Sequence, residues 1–426
     1  MGSWSEFKQG FERLKDQLED QAEKRLESLE EKIDRLKDRF GRLDRLKGEA
    51  EEAYQHALAC FEGERPPDST AHHNHGLAFL GAVMNSDPGK LLARHREGLR
   101  PPVDRMGEIY GFGKFEQLDP DWLESLLVWA LKKNRKHPFA TDPATVSIPD
   151  KVKIGMIGDW GTGQYGSGLT PAVQISEVIQ HQIKPEYVVH LGDVYYAGTS
   201  DEEKKRCLRF WPLQGSDKSF TLNSNHEMYD GADGYYKTLL ADPRFAAQQS
   251  TSYFALQNKN WIIVGLDSAY FSNADKLYMD GALDSGHQLP FLKQKAEQAQ
   301  SQGQGLIVLT HHNGLAGDGS SKETLWREVM GAVPDGLEPF YWYWGHVHIG
   351  AVYLKNGNVQ PRCVGHSAIP WGEASALQNS GVVWFEKRKN PTSPPKVMNG
   401  FLTLELDGSS LSETFYDQTG TVSWPN

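Results

Sequence analysis

A chain of 426 residues with 11% aromatic residues, 12 tryptophans among them, is too long for one small domain and carries too much buriable surface for wholesale disorder. Its 45 Lys and Arg against 56 Asp and Glu leave a net charge of -11, which speaks against the bulk attraction to nucleic acid or anionic membrane that a basic domain has. Cys60, Cys207 and Cys363 are too scattered for a disulfide framework or a CxxC metal knuckle, no apolar run approaches the roughly 18 residues of a membrane span, and the N-terminus is charged and helical where a signal peptide is apolar. A cytoplasmic location is therefore expected.

Residues 1–60 are predicted to form a long amphipathic helix. Phe7, Phe11, Leu14, Leu18, Ala22, Leu26, Leu29, Ile33, Leu36, Phe40 and Leu43 fall at the three- and four-residue steps of a coiled-coil seam. A helix of that length does not bury its stripe alone in water, so it self-associates, giving a homo-oligomer, lies on the rest of the chain, or meets a partner or membrane surface. Residues 61–150 read as a small helical region and linker, with Pro-rich breaks at 61–70 and 138–150. Between the breaks, Asp121 to Asn134 has the pattern of a helix capped by Asp121. His72, His73 and His75 lie in a polar stretch with no fixed acidic or Cys partner and read as loop.

From 151 to 426 the texture changes to short β-type runs alternating with helices. Strands are predicted at Val152 to Ile157, Tyr187 to Leu191, Phe220 to Leu222, Tyr253 to Gln257, Trp261 to Leu266, Leu306 to Leu309 and Phe340 to Trp344. Thr170-Pro171 reads as a helix start, making 152 to 191 a βαβ unit, and Asp407-Gly408 marks a C-terminal hairpin.

Chemistry-bearing groups follow five of these strands, where α/β sheets gather functional loops. They are Asp159, Asp193 with Tyr195 and Tyr196, Asn225-His226-Glu227, His311-His312, and His346 with His348. Carboxylate, amide oxygen, imidazole and phenolate are ligands of Fe, Mn or Zn, and seven or eight of them suffice for two ions sharing one carboxylate. Trp160, Tyr229, Trp342, Trp344 and Trp371 either line an apolar wall beside these groups or belong to the core.

In this order the motifs GDWG, GDVYY, SNHE, VLTH and GHVH resemble those of the calcineurin-like metallophosphoesterase superfamily, over about 155 to 420. The resemblance implies an α/β fold, a metallophosphoesterase-type β-sandwich flanked by helices, here preceded by the N-terminal coiled-coil and helical region. Gly161 stands where most members have His, and Tyr196 stands three residues after Asp193, which is similar to purple acid phosphatases. Carried over, Asp159, Tyr196 and His348 would bind one metal, Asp193 would bridge, and Asn225, His311 and His346 would bind the other. Tyr195 competes for the phenolate role. His311 fits VxxH from Val308, leaving His312 to substrate or to support. His226 would be the catalytic proton donor, with Glu227 as its orienting partner. A phenolate favours a trivalent ion, so the resemblance implies two metal ions, Fe(III) with Fe, Zn or Mn. Ser224 replaces the usual Gly, and strain is expected if that position needs positive φ.

The implied activity is hydrolysis of phosphate monoesters or diesters by a metal-bound hydroxide, acting on a small phosphoester substrate. The alternatives are a nuclease or cyclic-nucleotide phosphodiesterase, and a catalytically weak scaffold acting through its coiled coil. Deleting residues 1–48 should lower the molecular mass in solution, measured by light scattering, while metal content is kept; an unchanged mass removes the oligomerisation reading.

Overall fold

The computed structural model describes residues 125, 128–129, 132, 135–161, 169–213, 217–368, 377–378, 380–391 and 397–425. The expected coiled coil, the His72, His73 and His75 stretch, Cys60 and Trp371 lie outside the described residues.

Two sheets stack face to face, with side chains of both meeting in one core between them. Lys151–Ile157 (β2), Tyr187–His190 (β3) and Ser219–Thr221 (β4) run parallel, and Gly400–Asp407 (β12), Ser410–Asp417 (β13) and Val422–Trp424 (β14) extend them antiparallel in the order β14-β13-β12-β2-β3-β4. The second sheet adds Ala144–Ser147 (β1), Phe254–Gln257 (β5), Trp261–Gly265 (β6), Gly305–Thr310 (β7), Phe340–Trp344 (β8), Gly350–Tyr353 (β9), Val359–Val364 (β10) and Val382–Phe385 (β11), in the order β1-β5-β6-β7-β8-β10-β9-β11. On β7, Ile307 and Leu309 face the core between the sheets, while Leu306 and Val308 pack beneath helices on the outer face. Successive side chains leave a strand on opposite faces, and burial of both faces is what a near-continuous run such as Leu306 to Leu309 signals.

Helices cover both outer faces. Thr170 caps the helix Pro171–Val178, its hydroxyl accepting from the Val173 amide, and Ala172, Ile175 and Val178 face the six-stranded sheet. The helix Gln288–Gln302 buries Leu292, Lys295, Ala296 and Ala299, one stripe of a 3.6-residue period, and stops where Gly303 takes φ 64°. The hairpin turns at Gly408, as Asp407-Gly408 implied.

One segment read as linker is part of the sheet. Ala144–Ser147 pairs parallel with β5 as an edge strand. The prolines at 138, 143 and 149 flank this run without interrupting it, and an edge strand leaves one row of backbone groups unpaired, so their missing N–H groups cost nothing there.

Arg362 on β10 and Glu413 on β13 tie the two sheets. The guanidinium donates to both carboxylate oxygens at 2.8 Å, and each side chain is only 7% exposed. Breaking a buried pair from one side costs about 3–5 kcal/mol because the partner charge is stranded. Arg362→Met should therefore lower the melting temperature strongly, while metal content at saturating metal stays at the wild-type value; an unchanged melting temperature contradicts the assignment.

Candidate metal centre

The parallel strands of both sheets deliver their C-terminal ends to one place. Asp159 follows β2, Asp193 follows β3, Asn225 and His226 open the short helix Asn225–Met228 after β4, His311 follows β7 and His346 follows β8. Backbone hydrogen bonds lock the loops together: Asp159 N to Gly192 O at 2.9 Å, Trp160 N to Asp193 O at 3.1 Å and Gly345 N to His311 O at 3.0 Å. Asp159, Asp193, His346 and His348 all adopt left-handed backbone, with φ of 55°, 70°, 67° and 51°. Non-glycine residues there are strained and persist only where the surroundings over-determine them.

Two nests of donor atoms share Asp193. In the first, the Tyr195 hydroxyl lies 3.2 Å from Asp159 Oδ1, 3.1 Å from Asp193 Oδ2 and 2.9 Å from His348 Nε2, and His348 Nε2 is 3.4 Å from Asp159 Oδ1. In the second, Asn225 Oδ1 is 2.8 Å from His311 Nε2 and 3.1 Å from His346 Nδ1, the two rings approach to 3.2 Å, and His311 Nε2 is 3.3 Å from Asp193 Oδ1. Both aspartates are buried. A Cβ on Gly345 would stand 2.6 Å from Asp159 Oδ2, and one on Gly192 would stand 2.8 Å from His311 Nδ1, so these motif glycines keep space for the ligand side chains.

The donor set is short of positive charge. His311 Nδ1 lies 2.9 Å from the Leu191 carbonyl, which requires its proton there and leaves the Nε2 lone pair aimed at Asn225 Oδ1, another acceptor. Tyr195 brings one proton to two carboxylate oxygens and lies against the His348 Nε2 as well. Burial, followed by the charge of Asp193, pushes the Asp159 carboxyl well above the ordinary carboxylate range. Burial also opposes ionisation of Asp193, but His311, His226, His346 and the Ser224 hydroxyl hold it below its usual value. Burial drives His346 and His311 towards the neutral form, which keeps lone pairs to offer, against the pull of the Asp193 charge for their protonated form. Acceptors crowded around two buried carboxylates fit bound cations.

The structure redistributes three expected roles. The phenol inserted between the carboxylates belongs to Tyr195, while the Tyr196 ring carries the Arg206 guanidinium at 4.9 Å and its amide donates to Glu202 at 2.6 Å. Spacing from Asp193 did not separate the adjacent tyrosines, whose ring centres lie 6.1 Å apart but which meet different partners. Glu227 accepts from the Val194 amide at 2.8 Å, the Asp193 amide at 3.3 Å and the Ser224 hydroxyl, so it holds the Asp193 loop; the group that orients His226 is the Tyr196 carbonyl, 2.5 Å from Nδ1. Burial, then the Asp193 charge, pushes the Glu227 carboxyl up to about 8. Ser224 has φ of -136°, an extended conformation without strain, and its hydroxyl reaches Asp193, Glu227 and the His226 amide.

His312 is held at both nitrogens, by Ser268 Oγ at 2.9 Å and the Tyr278 carbonyl at 2.8 Å, with its ring 4.6 Å from that of His346. It lies beside the nest, and one ring nitrogen from each of His311, His312 and His346 falls within 4.8 Å of the others. His226 Nε2 stands 3.9 Å from Asp193 Oδ2 at the edge of the cluster. Trp160, Trp342 and Trp344 are core residues with no exposure, whereas Tyr229 lies against His226 at 4.9 Å between ring centres. Ser268, Tyr278 and the Leu191 carbonyl carried no sequence signal, since two of these contacts are made by backbone.

The profile of the calcineurin-like phosphoesterase family matches residues 152–367, just over half of the chain and all five strand ends. The protein belongs to this family. It is a metal-dependent phosphoester hydrolase, and the family implies a dinuclear centre. A comparison with curated proteins finds no match. Similar solved structures include GAP50, the anchor in the inner membrane complex of Plasmodium, at 15% identity over 64% of this chain and 87% of that one, TM-score 0.43. A dimetal phosphatase from Danio rerio is 13% identical over 65% and 97%, TM-score 0.43. A 5'-nucleotidase from Candida albicans is 14% identical over 66% and 54%, TM-score 0.33. At such distances these likenesses carry no argument about substrate.

Replacing a group that supports a metal site costs about 10- to 100-fold in affinity. Tyr195→Phe should weaken metal binding by at least about tenfold, measured by chelator competition, and Tyr196→Phe by much less. Equal losses contradict the placement of the two phenols.

Proposed function

We propose that this phosphoesterase carries two metal ions, one at Asp159, His348, Tyr195 and Asp193 and one at Asp193, Asn225, His311 and His346, and hydrolyses small phosphate monoesters or diesters by direct attack of water. The observation that carries the reading is the pair of donor nests sharing the buried Asp193 carboxylate, with His226 at their edge. When bound, two such ions neutralise phosphate oxygens and lower the pKa of the attacking water. The phenol of Tyr195 suits Fe(III) in the first position, with Fe, Zn or Mn in the second. A cytoplasmic location and self-association through the N-terminal helix belong to the same proposal and rest on the sequence alone.

The chain's own residues supply position and protons. Glu227 and Ser224 hold the Asp193 loop and carboxylate, and the Leu191 carbonyl fixes the His311 tautomer, so the ligand atoms are arranged before substrate arrives. His226 is tied through Nδ1 to the Tyr196 carbonyl, which leaves Nε2 directed at the cluster. Protonated at Nε2, it donates a hydrogen bond to the substrate phosphate and passes its proton to the departing oxygen, a role worth about 10²–10⁴-fold.

Hydrolysis of p-nitrophenyl phosphate beside bis-p-nitrophenyl phosphate by the metal-replete protein tests the class, with Asp193→Asn as control. Activity on either ester, lost in the control, supports the reading, diester preference pointing to a phosphodiesterase; activity on neither contradicts it. His226→Asn should slow an alkyl phosphate about 100-fold or more. Its effect on p-nitrophenyl phosphate should be clearly smaller, because that leaving group departs without a proton. Equal slowing of both esters would exclude His226 as the proton donor.

A further inference from the structure

Residues before the family-matched region contact the catalytic body. Ser125, Val128, Trp129 and Lys132 are helical, and Ser125 and Trp129 are buried. Hydrogen bonds from this stretch reach two segments beside the metal centre. One is the turn after the helix Asn225–Met228. Lys132 pairs with Asp230, the His137 amide donates to the Gly231 carbonyl at 2.8 Å, and the His137 ring stacks on Tyr236 with centres 4.3 Å apart. The chains approach so closely that a Cβ on Gly231 would lie 2.0 Å from the Arg135 carbonyl oxygen.

The other segment is the loop from Ser268 to Ala282, closed on itself by the Ala282 amide donating to the Ser268 carbonyl at 2.8 Å. Trp129 Nε1 donates to the Ala274 carbonyl at 2.9 Å and Lys136 Nζ to the Tyr270 carbonyl at 2.6 Å. The Lys136 ammonium lies 5.1 Å from the ring centre of Tyr278, and Phe139 packs 5.0 Å from both Tyr270 and Phe271. This loop supplies both hydrogen bonds that fix His312, and Met279 Sδ meets the Asn225 amide at 3.5 Å. Leu277 and Tyr278 are both left-handed, with φ of 55° and 57°. The carbonyl that holds His312 thus sits in a strained turn that its neighbours must maintain.

We infer that the stretch around Trp129, Lys132, Lys136 and Phe139 is a brace that positions the Asn225, His311 and His346 half of the metal centre. It does so by clamping the Ser268 to Ala282 loop and the turn after Met228. The inference rests on the proposed two-metal reading of the site. The brace lies outside the matched phosphoesterase region, so this chain completes its site with residues the family's own motifs do not contain. Trp129, Lys132 and Lys136 are positioning residues: they act through Tyr278, Ser268 and Asp230, and none of them is a donor in either nest.

The test uses the full chain with Trp129→Phe and Lys136→Met combined, which removes two hydrogen bonds while keeping bulk. Lys136→Arg serves as the conservative variant, and Lys151→Met, which loses an exposed pair with Asp407, serves as a control. Amide hydrogen exchange over 268–282 in metal-free protein should quicken by about fivefold or more. One of the two Zn2+ dissociation constants, from chelator competition, should rise about tenfold with the other unchanged. Lys136→Arg should retain most of the affinity, and Lys151→Met should change neither quantity. Unchanged exchange or unchanged Zn2+ affinity overturns the inference, even if the melting temperature falls. A wild-type chain that binds Zn2+ but hydrolyses no phosphoester contradicts the functional reading and leaves this comparison intact, whereas one without measurable Zn2+ uptake overturns both.

Discussion

Two carboxylates buried beside one another with too few protons between them set the terms for the rest of this structure. Asp159 and Asp193 share the Tyr195 hydroxyl, and Asp193 also meets His311 and Ser224. Removing such charge from water is unfavourable unless it is paired, and the surrounding histidines are themselves driven towards neutrality by burial. The features that look costly in isolation follow from this demand. Left-handed backbone at four ligand candidates, glycines packed against ligand side chains and converging parallel strands all bring acceptors to one point.

The sandwich makes that convergence possible. Parallel strands from both sheets end on the same side, so residues far apart in sequence meet within a few ångströms. The stiffness comes from strands buried on both faces and from the Arg362 to Glu413 tie between sheets. A catalytic centre on such elements needs little reorganisation when substrate arrives, which is where electrostatic catalysis gains most.

Much of this was legible in the sequence because strands announce themselves by hydrophobic runs and the motif residues sit directly after them. Val152 to Ile157, broken only by Lys153 and Gly155, and Leu306 to Leu309 are short apolar-rich runs, each followed within two residues by an acid or a histidine. The choice between Tyr195 and Tyr196 was not legible, because adjacent residues on a turn differ in direction and no period applies there. Glu227 looked like a partner of its neighbour His226, yet its carboxylate turns to the Asp193 and Val194 amides, a contact between separate loops. The strand Ala144–Ser147 hid among prolines that mark its ends. The brace was invisible because Lys136 and Trp129 act through backbone carbonyls, which no sequence pattern records.

The account stands or falls on a shared carboxylate holding two ions. Elemental analysis of the metal-replete protein, wild type beside Asp193→Asn, tests this directly, with a thermal melt to confirm that the variant is folded. Two metal ions per chain in the wild type and at most one in the folded variant are predicted; two ions retained by the variant, or none in the wild type, would contradict the account.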